Sequence, residues 1–320
     1  MIMPSKLDQL KKMTKVAADT ADIEAIRAFA PVDCTTNPSL ILKAAQMEVY
    51  APIVEEAIVW GLSHNELTSR IATRLAVNFG AELAKIVPGR VSTEVDADLS
   101  FDVDATIVQA RTLIEDYAAC SVPRDRILIK IAATWEGIEA ATILRREGID
   151  CHLTLVFSLA QAAACGEANV FLISPYVGRI LDWHLKTEGK TFTAETDPGV
   201  LSLHKIYAYY KAYDVKTIIM GASFRNVEEI EALAGCDRLT IAPALLTQLA
   251  QDDKPLPRRL DPANAAAEAP AKMSLDEKTF RYLLNEDAMA TEKLAEGIRL
   301  FARDMQALRE LVSQRLQMAA

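Results

Sequence analysis

A lysine interrupts the apolar run Arg126-Ile127-Leu128-Ile129-Lys130-Ile131. The run has the length and the β-branched, aliphatic content of a buried strand, with Pro123 before it and helix-forming residues after it. An ammonium is among the costliest groups to bury, so Lys130 needs a reason to be there. One reason is structural: a carboxylate pairs with it. The other is chemical: burial pushes the pKa of the amine down, and the free amine adds to a carbonyl to form a Schiff base.

Side chains two apart along a strand share a face. Leu128, Lys130 and Ala132 therefore lie together, and Ile127, Ile129 and Ile131 face the other way. In Arg90–Asp96 the shared inner face carries Ser92, Glu94 and Asp96. In Cys151–Phe157, His152, Thr154 and Val156 point inward and Leu153, Leu155 and Phe157 outward. Leu172, Ser174 and Tyr176 align in the next run. Asp19 stands at the end of Lys15–Thr20, and Asn37 follows Asp33–Thr36. One amine among carboxylates and hydroxyls is the set that Schiff-base chemistry needs. The amine adds to a ketone, and a carboxyl shuttles protons through carbinolamine loss and carbon–carbon cleavage. Each residue also has a plain structural use. Asp19 can cap the next helix, Glu94 can simply pair with Lys130, and Thr154 and Ser174 can satisfy local backbone. Two arginines close the set: Arg179 in Ser174-Pro175-Tyr176-Val177-Gly178-Arg179, and Arg225 in Gly221-Ala222-Ser223-Phe224-Arg225-Asn226. Each stands where a helix begins, a place suited to phosphate. The alternative is a pair of solvated arginines.

The elements that must hold these residues are eight short strand-like runs: Lys15–Thr20, Asp33–Thr36, Arg90–Asp96, Arg126–Ile131, Cys151–Phe157, Val170–Ser174, Thr217–Gly221 and Leu239–Ala242. Most are separated by helical patterns. They predict an α/β fold, a (β/α)8 TIM barrel whose site lies at the carboxyl ends of the strands. A doubly wound open sheet is the alternative, but the G-x-G-x-x-G and Walker A patterns that would favour it for nucleotide binding are absent. The expected organisation is a single domain over 1–320, with the barrel core at about 14–251. An extra amino-terminal helix spans Ser5–Lys12. Asp197-Pro198 opens a helix whose Val200, Leu203, Ile206, Tyr207 and Tyr210 read as core packing. Ser39 is expected to cap the helix after Asn37. Residues 252–274, rich in Pro, Ala and Asp, read as a surface loop. The carboxy-terminal extension, about 275–316, reads as helices Leu275–Asn285 and Ala288–Leu316. Leu294, Ile298, Phe301, Met305, Leu308 and Leu311 recur along one face of the last helix. That face needs an apolar cover, either the barrel rim or a second subunit.

About half of the 320 residues are apolar and a quarter charged, as in globular proteins. No apolar stretch reaches the roughly 18 residues of a membrane span. The sequence MIMPSKLDQLKKM lacks the apolar core and cleavage site of a signal peptide, which makes the cytoplasm the expected compartment. Five scattered cysteines with no C-x-x-C pair predict neither a disulfide framework nor a zinc site, so no metal is expected. A net charge of −9 argues against general nucleic-acid binding, yet a few arginines in a cleft can still receive an anion.

Taken together, the stretches VAADTAD, CTTNPSLILKAA, PGRVSTEVDA, RILIKIAATWEGI, CHLTLVFSLAQA, FLISPYVGRILDW, MGASFRN, CDRLTIAPALL and MATEKLAEGIRLFA resemble the classical transaldolases over nearly the whole chain. The resemblance implies a cofactor-free Schiff-base enzyme of the pentose phosphate pathway. Such enzymes move a dihydroxyacetone unit from sedoheptulose 7-phosphate to glyceraldehyde 3-phosphate, giving erythrose 4-phosphate and fructose 6-phosphate. It implies Lys130 as the Schiff-base lysine and Asp19 as the acid/base at the C4 hydroxyl. Glu94 and Thr154 would position the catalytic water. Thr35, Asn37 and Ser174 would hold the dihydroxyacetone moiety, and Arg179, Ser223 and Arg225 the phosphate. Members of the family are often homodimers. Tyr176 departs from the phenylalanine that many transaldolases carry there and resembles the fructose 6-phosphate aldolases, which release free dihydroxyacetone. Glu94 and the longer chain point back to the transaldolases. Transfer with a measurable aldolase side activity is the expectation. Fructose 6-phosphate aldolase proper and a non-catalytic sugar-phosphate-binding barrel are the alternatives.

Overall fold

In the computed structural model, which describes residues 4–319, the eight apolar runs become the staves of one parallel sheet closed on itself. They are β1 (Lys15–Asp19), β2 (Asp33–Thr35), β3 (Val91–Glu94), β4 (Ile127–Ala132), β5 (Cys151–Val156), β6 (Leu172–Pro175), β7 (Ile218–Gly221) and β8 (Arg238–Ile241). Each pairs with the next, and β8 returns to β1, Ala17 opposite Thr240. Closure decides for the (β/α)8 barrel over the open sheet. Alternation then sorts the side chains. Ile127, Ile129 and Ile131 join the apolar belt between sheet and helices. Inside, Ala17, Leu128, Leu172 and Met220 form a small apolar plug. The polar residues of the strands sit on this plug, toward the carboxyl ends.

Alternation fails at one place. The pairing of β5 with β6 shifts register between Leu153 and Val156, and Leu155 has φ +57. A left-handed leucine is uncommon, and an inserted residue reverses every later side chain. Val156 accordingly packs outward into the belt, whereas Leu155 and Phe157 lie beneath the last helix with Phe301. The expected outward face for Leu155 and Phe157 and inward face for Val156 are therefore corrected. Asp96 also departs from expectation. β3 ends at Glu94, and Asp96, beyond it, is turned to Arg309 of the last helix at 2.6 Å. Asn37, not Ser39, caps the helix Pro38–Ala45 by accepting the Leu40 N–H at 3.0 Å. Ser39 instead hydrogen-bonds Asp304. The stretch 252–274 contains a short helix, Pro262–Ala265, and a 3-10 turn, Ala266–Glu268.

The first helix, Lys6–Lys11, is capped by Ser5 as expected and anchored by Lys6, which pairs with Glu231 at 2.6 Å and Asp252 at 2.8 Å. The last helix, Ala288–Ala319, lies across the barrel rim. Leu294, Ile298, Phe301, Met305 and Leu308 are buried there, and Val312 rather than Leu311 completes the face. The rim is thus the cover that the apolar stripe requires. A Cβ on Gly297 would stand 2.7 Å from the end of the Leu155 side chain, so the helix packs closely over the β5 bulge here. Phe301, 1% exposed, is the large aromatic side chain that this helix buries at the mouth. Phe301→Ala should cost roughly 3–5 kcal/mol of stability, read as a lower urea midpoint at unchanged slope. No helix among the described residues is long and apolar enough to cross a membrane.

Candidate active site

The barrel register sets the first contact. Glu94 on β3 lies opposite Lys130 on β4, which brings Glu94 Oε2 to 3.0 Å from Lys130 Nζ. The ammonium also donates to the Thr36 carbonyl at 3.1 Å, and the Phe301 ring lies 5.6 Å away. Both members of the pair are buried. Asp19, at the end of β1, accepts from Thr35 Oγ1 at 3.0 Å, and Thr35 Oγ1 stands 2.7 Å from Thr240 Oγ1. On the far side, His152 spans Ser92 and Ser174: Nδ1 is 3.0 Å from one hydroxyl and Nε2 2.7 Å from the other. Thr154 Oγ1 and Tyr176 Oη are 2.9 Å apart. One narrow cavity gathers these groups, lined by Asp19, Thr35, Asn37, Lys130, Ser174 and Tyr176 together with Arg179 and Ser223. Glu94 and Thr154 stand behind the lining, as partners of Lys130 and Tyr176.

The two arginines differ. Arg179, in the first turn of the helix Val177–Glu188, lines the cavity between the Tyr176 and Phe301 rings, 5.1 and 5.4 Å from their centres. No ion pair is formed by it among the described residues. Arg225 stands outside the lining. Its Nε and Nη2 grip the Asp182 carboxylate at 2.6–3.1 Å, and Nη1 donates to the Ser223 carbonyl at 3.0 Å. It reaches the cavity only through Ser223, whose hydroxyl is 3.3 Å from Nη1.

A buried strand lysine paired to a carboxylate, beside a second carboxyl and a free guanidinium, is a constellation that can be compared with known proteins. Residues 16–312 match the family described as Transaldolase/Fructose-6-phosphate aldolase. The chain belongs to this family. It is 60% identical to a protein named Transaldolase from Rhizobium etli strain CFN 42, an alignment of 322 residues that covers 99% of this chain and 100% of the relative. The Transaldolase of Agrobacterium fabrum strain C58 is also 60% identical, with the same coverage. That of Marinomonas sp. strain MWYL1 is 55% identical over 318 residues, 98% of this chain and 100% of the relative.

Electrostatics in this transaldolase-family barrel correct one expectation. Burial does pull the Lys130 pKa down, but Glu94, Tyr176 and Asp19 push it up and prevail, so the resting amine is an ammonium held above its ordinary value. Glu94 is itself raised by burial, against the pull of Lys130 and Arg179. Burial likewise raises Asp19, opposed by Lys130, Thr35 and Arg179. The proton therefore belongs to the group rather than to one residue. Its transfer from Lys130 to a carboxylate replaces an ion pair by two neutral groups, which a dry site tolerates. A free amine arises in this way and not by burial alone. His152 is kept neutral, its pKa lowered by burial and by the Lys130 and Arg238 charges, so it can donate to one hydroxyl and accept from the other.

Four contributors were not singled out from sequence: Thr240, the Thr36 carbonyl, the bridging role of His152, and Phe301 as a wall. Thr240 sits at an inner position of β8, and His152 faces inward on β5, so alternation marks both. The Thr36 carbonyl and the Phe301 ring carry no such mark.

Proposed function

We propose that the chain catalyses transaldolase transfer through Lys130, moving a dihydroxyacetone unit from sedoheptulose 7-phosphate to glyceraldehyde 3-phosphate. The observation that carries this reading is the Lys130 amine, buried in the barrel at 3.0 Å from Glu94 with Asp19 in the same cavity. The neutral amine adds to the C2 carbonyl of the ketose, and loss of water from the carbinolamine gives an iminium. Asp19 takes the proton of the C4 hydroxyl, and the C3–C4 bond breaks. Erythrose 4-phosphate leaves as the aldehyde, and the bonding electrons pass into the iminium to form an enamine. The enamine carbon attacks the aldehyde of glyceraldehyde 3-phosphate, Asp19 returns its proton to the new hydroxyl, and water releases fructose 6-phosphate. Glu94 and Thr154 hold that water. Thr35, Asn37 and Ser174 hold the dihydroxyacetone hydroxyls, and Arg179, Ser223 and Arg225 the phosphate. The chemistry calls on no cofactor or metal. The chain works as one unit, because the last helix supplies a wall of the site. A cytoplasmic homodimer is the setting we propose, on the resemblance to the family.

The test is to follow sedoheptulose 7-phosphate with and without glyceraldehyde 3-phosphate. Donor consumption should require the acceptor and yield erythrose 4-phosphate and fructose 6-phosphate in equal amounts. Consumption at the same rate without acceptor would overturn transfer as the main activity.

One contact supports a side reaction. The Tyr176 phenol lies 2.9 Å from Thr154 Oγ1, at the place proposed for water. A phenol there can help water protonate and hydrolyse the enamine, which releases free dihydroxyacetone. Without an acceptor the enzyme should release dihydroxyacetone slowly from fructose 6-phosphate, and Tyr176→Phe should reduce that release about tenfold, less than the full ~10²–10⁴ of a positioned acid because the Thr154 hydroxyl remains. Equal release by both proteins would discard the idea.

A further inference from the structure

Behind the loop that carries Ser223 and Arg225 lies a second pair of carboxyls, which the reaction above does not use. Glu229, 1% exposed, accepts the backbone N–H of Arg225 on Oε2 at 2.6 Å. Its own N–H is capped by Asn226 at 2.9 Å. Its other oxygen, Oε1, is buried and meets no donor among the described residues. The Glu229 side chain also neighbours the Asp197 carboxyl, which is 3% exposed and caps the helix Pro198–Ala212 by accepting from Gly199 at 2.7 Å and Val200 at 3.2 Å. Two carboxylates buried side by side ionise together only at a cost, so below the pH at which Glu229 titrates they share one proton.

The surrounding backbone leaves little slack. Ser223 is held at φ +63, a conformation that a serine adopts only when its neighbours impose it. Its carbonyl receives the Gly178 N–H at 3.1 Å, and the Ala222 carbonyl receives that of Val177 at 3.0 Å. A Cβ on Gly199 would lie 2.1 Å from the Val177 carbonyl, so the two helix starts meet backbone to backbone. The Arg225 N–H has one acceptor, Glu229.

We propose that Glu229 is a positioning residue for the phosphate end of the site: sharing one proton with Asp197, it clamps the Arg225 N–H and fixes the Ser223–Asn226 turn in its phosphate-ready form. This rests on the reading that Ser223 and Arg225 meet the substrate phosphate. The charged groups around Glu229 are Asp197 and Arg225, with His184 of the helix Val177–Glu188 acting on Asp197, and Asp182 of that helix on Arg225. Burial holds Glu229 up to about 7. Either form accepts the Arg225 N–H, and what is lost as pH rises through that value is the shared proton. A second negative charge then stands behind the arginine that meets the phosphate.

The experiment measures borohydride-trapped Schiff base in the full chain against donor concentration, for fructose 6-phosphate and for fructose. Glu229→Ala removes the acceptor and should raise the half-saturating concentration of fructose 6-phosphate about tenfold, the order expected when a buried donor loses its partner, with little change for fructose. Glu229→Gln keeps an acceptor for Arg225 and a donor for Asp197, and should restore the preference for the phosphorylated donor. Between pH 6 and pH 8 the native half-saturation for fructose 6-phosphate should rise more than that of Glu229→Gln. The phosphate's own titration is common to both proteins. Native preference in Glu229→Ala, together with its loss in Arg225→Ala, would overturn the role of Glu229. Native preference in Arg225→Ala would overturn the phosphate reading itself. Should Glu229→Ala fail to fold, a native-like pH dependence in Glu229→Gln would overturn the proposal, and a flattened one would support it.

Discussion

Lys130→Met should remove turnover and leave a folded barrel. The expected fall in kcat/KM is at least about 10⁴-fold, the scale on which enzymes lose activity with their covalent nucleophile. Methionine fills nearly the volume of the lysine stem, so little cavity forms among Leu128, Ala132 and the Phe301 ring. What changes is charge. Glu94 loses its partner at 3.0 Å, and Asp19 loses the largest charge that opposes its burial. Both carboxyls then titrate still higher. A carboxyl whose folded pKa lies above its unfolded one contributes stability below the unfolded value, and that contribution is lost as pH rises through the folded value. Lys130→Met should therefore unfold at a lower temperature than the native chain at pH 8, with the gap narrowing toward pH 5. Thermal unfolding followed by circular dichroism at the two pH values checks the sign. Activity within a hundredfold of native would mean that another group carries the chemistry.

Asp19→Asn should separate bond cleavage from Schiff-base formation. The amide oxygen can still accept from Thr35, whose hydroxyl lies 3.0 Å from the present carboxylate, so the residue keeps its place. The proton acceptor proposed for the C4 hydroxyl is lost. We expect kcat to fall by about 10²–10⁴, the usual worth of a positioned acid/base, with KM changed far less. Borohydride should still trap substrate on the enzyme, because the amine and Glu94 remain. Loss of the trapped adduct in parallel with kcat would place Asp19 in iminium formation instead.

Much of this arrangement was legible because two periodicities and one anomaly suffice to read it. The inward face of β4 follows from alternation alone, which places Lys130 at the carboxyl end above Leu128. Glu94 and Ser174 follow in the same way from β3 and β6. The legible part ends where a residue's state depends on a partner far along the chain. Lys130 reads as a neutral amine when only its burial is considered, but Glu94, 36 positions away, makes it an ammonium. Arg225 reads as free until Asp182 is found holding it. Asn37 reads as a substrate ligand alone, and the structure gives its side-chain oxygen a second task as helix cap. The face reversal in β5 lies outside any period: a bulge at Leu155 answers to the last helix settling on the rim, a contact between residues more than a hundred positions apart. The cover of the last helix was open between rim and second subunit for the same reason.

The central claim is a covalent bond between Lys130 Nζ and a sugar carbon. Borohydride reduction in the presence of fructose 6-phosphate, followed by mass spectrometry of the digested chain, tests it most directly. A single reduced dihydroxyacetone adduct on the peptide containing Lys130, absent from Lys130→Met, is the predicted result. An adduct on a different lysine, or none while turnover proceeds, would contradict it.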